Sequence, residues 1–321
     1  MRSGTGSKPQ DQVKDRYMKT QRLSRVLAGA YLDLGGGPED TLFVAGSGRS
    51  GTTWLADKLN PRRDHRLIFE PFHPAKVPIV SGFHRRQYLR PNELREIYVQ
   101  PARRVLSGAV RNGWVDRFHR SFVARKRIVK DIRANLMLGW MRENFPEMPV
   151  ILLLRHPCAV AESQLSLGWK DILDEILDQR QLVEDHLTPM EAEIRSSHDP
   201  FERRVFLWCV ENYVPLMQLA DKEVTVAFYE NLMTDPVPEL HRINGRLGIK
   251  FDEAAAGEIE RPSPVSRRDT TPSLDGWRHR ISEERRRRAI EILALFGLDR
   301  IYGEDALPNP EGVWAFVRSN G

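Results

Sequence analysis

The sequence predicts an α/β fold, a central parallel sheet between two layers of helices. Three observations carry the prediction. Short, largely apolar runs at Leu42–Ala45, Leu67–Phe69, Arg127–Lys130, Val150–Leu154 and Val224–Tyr229 lack alternation, as strands covered on both faces do. Helical stretches lie between most of them, as parallel crossovers require. The first run passes into a glycine-rich turn, Gly46-Ser-Gly-Arg-Ser-Gly51, and then into Thr52-Thr-Trp-Leu-Ala-Asp-Lys-Leu59. Strand, tight turn and helix in that order form a phosphate cradle.

In chain order, residues 1–16 are polar without apolar period and are expected to be disordered. A helix is expected over 17–33, with Leu23, Val26, Leu27, Tyr31 and Leu32 near one stripe, and Gly35-Gly-Gly-Pro38 ends it. Further helices are expected over Asn135–Phe145, Ala159–Leu167, Pro200–Ala220 and Ser282–Phe296. Ser282 can cap the last of these, Glu283 and Glu284 suit its first turn, and Gly297 suits its C′ position. No internal repeat is visible. The expected organisation is one domain over 17–321, with substrate-side insertions near 73–127 and 166–200.

Composition narrows the class. A hydrophobic content of 40% and a charged content of 29% suit a soluble globular chain. No stretch approaches a membrane span, and the polar N-terminus lacks a secretory h-region. Cys158 and Cys209 make no disulfide framework, so a reducing cytoplasm is expected. The nine histidines are scattered without metal-ligand spacing. Net charge is +5, yet 13 Lys/Arg against three acids fall between His73 and Arg127. That field favours an anionic partner: nucleotide, acidic glycan, anionic lipid or nucleic acid. A solvated basic face explains it equally well.

The loop specifies the anion further. Gly46, Gly48 and Gly51 let successive N–H groups turn toward one ligand. Ser50, Thr52 and Thr53 add hydroxyls, and Arg49 adds a full charge. Gly46 to Gly51 has nucleotide-triphosphatase spacing, but Thr52 stands where that loop has its lysine. A kinase also needs an acid on a neighbouring strand for Mg²⁺, whereas Val150–Leu154 ends in Arg155. An anion bound without metal, with a second anionic group near Arg155, is therefore expected.

At this point the chain resembles the PAPS-dependent sulfotransferases, and the carbohydrate and bacterial branches more than the cytosolic aryl and steroid branch. Gly48-Arg-Ser-Gly-Thr-Thr-Trp54 is similar to their 5′-phosphosulfate loop. Arg155-His-Pro-Cys-Ala-Val-Ala-Glu-Ser163 is similar to their 3′-phosphate element, and Phe228-Tyr-Glu-Asn-Leu-Met-Thr-Asp-Pro236 to their Tyr-Glu-Asp-Leu segment. The three motifs stand in family order within residues 42–236. The resemblance implies 3′-phosphoadenosine 5′-phosphosulfate (PAPS) as cosubstrate and no required metal. It implies that Gly48, Arg49, Ser50, Gly51, Thr52 and Thr53 hold the phosphosulfate, and that Arg155 and Ser163 hold the 3′-phosphate. Trp54 and Tyr229 are expected at adenine, although either aromatic alone is more often core.

Sulfonyl transfer needs cations for bridging-oxygen charge and a base for the acceptor proton. Arg49 is the first cation and Lys130 the second. The aryl and steroid branch has a histidine two residues after that lysine, where this chain has Ile132. Glu70, in Ile68-Phe-Glu-Pro-Phe-His73, is the expected base if burial raises its pKa; His73 and Asp131 are the competitors. The expected partner is a hydroxyl-bearing acceptor, on a sugar or a lipid, with peripheral contact to anionic membrane compatible. Two rivals remain. One is a small-molecule kinase, disfavoured by Thr52 and Arg155. The other is a basic nucleic-acid binder, disfavoured by the lack of interleaved aromatics or a binding module.

Overall fold

A computed structural model describes residues 31–218, 224–249 and 274–320. The polar tail over 1–16 and most of the helix expected over 17–33 lie outside the described residues. The end of that expected helix is instead a strand, β1 (Leu32–Asp33). The other strands are β2 (Thr41–Gly46), β3 (His65–Phe69), β4 (Val123–Ala124), β5 (Lys126–Asp131), β6 (Val150–Leu154) and β7 (Thr225–Phe228). β1 pairs in parallel with β4, Leu32 opposite Val123, and that pairing overrides the helical stripe.

The main sheet has five parallel strands in the order β3-β5-β2-β6-β7. The chain builds one side of β2 first, through β3 and β5. It then crosses to the other side for β6 and β7. Ligands of open parallel sheets bind outside the carboxyl ends of the strands at such a switch point. The lack of alternation has the cause expected of it, since both faces are covered. Phe43, Ala45, Ile68, Val129, Leu152, Leu154 and Phe228 face one apolar cluster. Leu42, Val44, Leu67, Ile128, Ile151, Leu153 and Ala227 face another. Full burial of each large apolar side chain stabilises by roughly 1.5–3 kcal/mol.

The helices that matter for the site are α1 (Thr52–Lys58), α2 (Glu96–Leu106), α3 (Leu138–Asn144), α4 (Pro157–Ser166), α5 (Pro200–Gln218), α6 (Tyr229–Thr234), α7 (Pro236–Arg246), α8 (Glu283–Leu295) and α9 (Pro310–Asn320). Pro157 opens α4, where its missing N–H costs nothing. Tyr229 opens α6 rather than extending β7. Ser282 caps α8 by accepting the Arg285 N–H, and Gly297 beyond its end takes the left-handed conformation at φ 66°. Among the described residues no helix is long and apolar enough to cross a membrane.

The basic segment is not one solvated face. Arg127 and Arg66 are buried at the amino ends of β5 and β3, and both pair with Asp33 at 2.9 and 3.0 Å. Arg86 pairs with buried Glu211 of α5, and Arg90 with Asp185 at 2.7 Å. The last two residues of the expected insertion, Lys126 and Arg127, are already β5. The segments 73–122 and 166–200 also touch each other. Tyr88 donates from its hydroxyl to Asp185 at 2.8 Å and from its N–H to Gln179 at 2.7 Å. Both send apolar side chains into one core, among them Val80, Phe83 and Val105 from the first and Leu173, Ile176 and Leu187 from the second.

Candidate active site

The five parallel strands of the main sheet point the same way, and the Gly46–Gly51 loop, Glu70, Lys130, Arg155 and Tyr229 stand at their carboxyl ends. The loop after β2 is held by the chain after β6. Arg155 donates to the Arg49 carbonyl at 2.8 Å. Arg49 Nε donates to Ser163 Oγ at 3.0 Å, and Gln164 Nε2 donates to the Gly48 carbonyl at 2.9 Å. From α5, Asn212 Nδ2 donates to Ser47 Oγ at 3.1 Å. Two motifs separated by about a hundred residues thus form one structure.

Close approach explains two of the glycines. A Cβ on Gly51, which has φ 93°, would stand 2.6 Å from the Tyr229 ring. A Cβ on Gly48 would stand 2.5 Å from Trp169 and 3.2 Å from Ile132. Arg49 keeps a left-handed backbone at φ 82° without being glycine, a conformation that costs on the order of 1–3 kcal/mol. Its carbonyl bond to Arg155 fixes it. Ser50 Oγ is buried and has no hydrogen-bond partner among the described residues. A buried hydroxyl without a partner inside a ring of turned amides fits an anionic ligand oxygen.

Thr52 is buried and Thr53 half-buried in the first turn of α1. Trp54 and Tyr229 both pack against the same apolar cluster. The Arg155 guanidinium lies 4.2 Å from the Tyr229 ring centroid, and Lys58 Nζ lies 6.0 Å from that of Trp54.

The other side of β2 carries the carboxylate. Glu70 follows β3 directly before Pro71 and has φ 43°, a second strained residue. It is buried, and its oxygens accept from Lys130 Nζ at 2.6 Å and from Arg133. Burial alone would raise its pKa, but the two cations outweigh burial and hold the carboxyl below its usual range. The expected upward shift is therefore reversed. His73 is pushed down to about 4 by burial and the charge of Arg133, so its imidazole is neutral near pH 7. Asp131 is fully buried and accepts the N–H groups of Phe72 at 2.8 Å and Arg133 at 2.7 Å. It braces the turn after β5, and burial raises its pKa.

A sequence profile described as the sulfotransferase family matches residues 41–253. The chain belongs to the sulfotransferase family. No curated protein matches it significantly. Solved structures similar to this sulfotransferase include the sulfotransferase domain of the Synechococcus PCC 7002 olefin synthase, at 19% identity over 80% of this chain and 94% of that one, TM-score 0.44. A mouse sulfotransferase complexed with PAP matches at 15% identity over 82% and 86%, TM-score 0.43. A sulfotransferase from Alicyclobacillus acidocaldarius matches at 17% identity over 80% and 93%, TM-score 0.42.

Several residues of the sulfotransferase site escaped the sequence. Arg133 had no motif to mark it, and Gln164 lies just past Ser163, the last residue of the second motif. Trp169, which packs against Gly48, belongs to the 166–200 segment expected on the substrate side. Glu230 lay inside a motif without a role. It is buried, accepts the His156 N–H at 2.8 Å and accepts the Tyr302 hydroxyl at 2.9 Å. His156 caps α4 by accepting the Cys158 N–H and stacks on Trp277 at 4.2 Å. The C-terminal part of the chain thereby reaches the residue beside Arg155.

Proposed function

We propose that this sulfotransferase transfers the sulfonate of PAPS to an acceptor hydroxyl. The observation that carries the reading is the bonded joint between loop and strand end: Arg155 to Arg49, and Arg49 to Ser163, around the unpartnered Ser50 hydroxyl. Gly48–Trp54 would take the phosphosulfate, Arg155 and Ser163 the 3′-phosphate, and Tyr229 and Trp54 the adenine. The family match and the donor chemistry of the loop support this, and none of these roles calls for a metal.

In the reaction the acceptor oxygen bonds to sulfur as the bond from sulfur to the bridging phosphate oxygen breaks. The acceptor proton passes to Glu70, and adenosine 3′,5′-bisphosphate (PAP) leaves. Arg49 and Lys130 would stabilise the charge on the bridging oxygen. The Lys130–Glu70 pair gives this a physical link. If Lys130 turns to the donor, Glu70 loses one of the two cations that depress it, and its proton affinity rises when a base is needed. The acceptor is a hydroxyl compound of carbohydrate or lipid-linked type.

Calorimetric titration tests the donor half of the proposal. PAP should bind as tightly in EDTA as in Mg²⁺, and ATP should bind weakly. Magnesium-dependent ATP binding with no response to PAP would overturn it.

A further inference from the structure

We propose that the acceptor carries, besides its reacting hydroxyl, an anionic group held by Arg85 and Lys76, an inference that rests on the sulfonate-transfer reading. The loop before α2 is built to present Arg85. Its neighbour Arg86, left-handed at φ 60°, is buried in an ion pair with Glu211. Gln179 clamps the loop, donating to the Arg86 carbonyl at 3.0 Å and accepting the Tyr88 N–H at 2.7 Å. Gln87 Oε1 accepts the His84 N–H at 3.0 Å. Arg85 is exposed between these fixed points, with no hydrogen-bond or ion-pair partner for its side chain among the described residues.

Arg85 adjoins Arg86, whose partner Glu211 accepts Asn135 Nδ2 at its backbone carbonyl at 3.0 Å. Asn135 lies two residues beyond Arg133, so Arg85 stands on the carboxylate side, within electrostatic reach of Arg133 and Glu70. Lys76 reaches the same place by another route. Its Nζ lies 5.8 Å from the Trp114 ring centroid, and Trp114 Nε1 donates to the Glu70 carbonyl at 3.0 Å. His73, edge-on to Trp114 at 5.2 Å, feels Arg133, Arg85 and Lys76 together.

The nearby carboxylates are already engaged. Glu70 is shared by Lys130 and Arg133, and Glu211 serves Arg86. Asp131 is bonded to backbone amides, and Glu175 pairs with Lys170 at 2.6 Å. Arg85 and Lys76 are thus cations in excess beside the expected base. A carboxylate or phosphate on the acceptor would balance them, a neutral acceptor would leave them unbalanced, and a cationic one would be repelled.

The test uses the PAP-loaded full chain and two series differing in charge: glucuronate, glucose 6-phosphate, glucose and glucosamine, then 4-hydroxyphenylacetate, its amide and tyramine. Binding is read by saturation-transfer NMR. Anionic members should bind about tenfold more tightly than neutral ones and cationic members least, in at least one series. The two anionic sugars separate carboxylate from phosphate recognition. Arg85→Gln should shrink the anionic preference severalfold, and Arg85→Lys should restore most of it. A flat or inverted order, or no binding by any anionic member, overturns the inference while the donor reading stands. Loss of PAP affinity in Arg85→Gln as large as the loss for the anionic probes would place Arg85 at the donor and overturn it too. Failure of PAP to bind at all removes both readings.

Discussion

The two sides of β2 are built by different means. On the β6–β7 side, Arg155, Ser163 and Gln164 come from one continuous stretch and hold the loop through carbonyl and hydroxyl bonds at 2.8–3.0 Å. On the β3–β5 side, Glu70, Lys130, Arg133, Arg86 and Glu211 come from distant parts of the chain and meet as buried ion pairs. On the proposed reading the first side is a shape, complementary to a donor anion that is always the same. The second is a charge balance, which a substrate can tip. A common donor and a particular acceptor call for those two constructions.

The most damaging break should fall on the charge-balanced side. Glu70→Gln keeps an acceptor for Lys130 and Arg133 but removes the proposed base. Transfer should fall by about 10²–10⁴ while calorimetry finds PAP affinity near wild type. Retained turnover would shift the base to His73 or Asp131 and leave Glu70 as no more than a partner for the two cations.

Arg155→Ala should act on the other side and in the opposite sense. PAP affinity should drop about 10–100-fold, and adenosine 5′-monophosphate affinity much less, because only PAP carries a 3′-phosphate. Equal losses would mean that Arg155 serves only to hold the Arg49 carbonyl. Ser50→Ala separates shape from stability more finely. Its hydroxyl has no partner among the described residues, so thermal unfolding should shift little. PAP binding should weaken by about 0.5–1.5 kcal/mol.

Acid should give the smallest and most graded effect. His73 and His156 sit at about 4 and about 3, below the ordinary 6.5. The unfolded chain therefore takes up protons that the folded chain refuses, and stability falls as pH drops from 6.5 toward 4. His156→Asn should flatten part of that slope in Tm measured against pH. An unchanged slope would assign the acid sensitivity to the carboxylate side alone. Glu70 acts lower. Its depressed pKa contributes stability present above the ordinary glutamate value of 4.5, and that is lost as pH falls through the folded value.

The same contrast governs what the sequence disclosed. Strands covered on both faces left continuous apolar runs, so all five strands of the main sheet were legible. The anion loop and the Arg155–Ser163 stretch are local, and their glycines, hydroxyls and Pro157 stand in reading order. Ion pairs between distant residues leave no such trace. Nothing near Arg133 announces Glu70, and nothing near Arg86 announces Glu211. The left-handed backbones of Arg49 and Glu70 were illegible for a related reason, because tertiary bonds rather than glycine hold them. Leu32 misled because its apolar spacing suited a helix while its partner, Val123, lay some ninety residues away.

The His156–Trp277 stack gives the far end of the chain leverage over the proposed donor pocket. The family profile stops at residue 253, yet Trp277 covers His156, and Tyr302 and Gly303 bond to Glu230 and His156. Arg155 immediately precedes that histidine. A chain cut short after residue 253 would keep every motif residue and lose the backing of one of them. Loosening Trp277 should act as a remote dial on nucleotide affinity, felt without any change in the residues that touch the ligand.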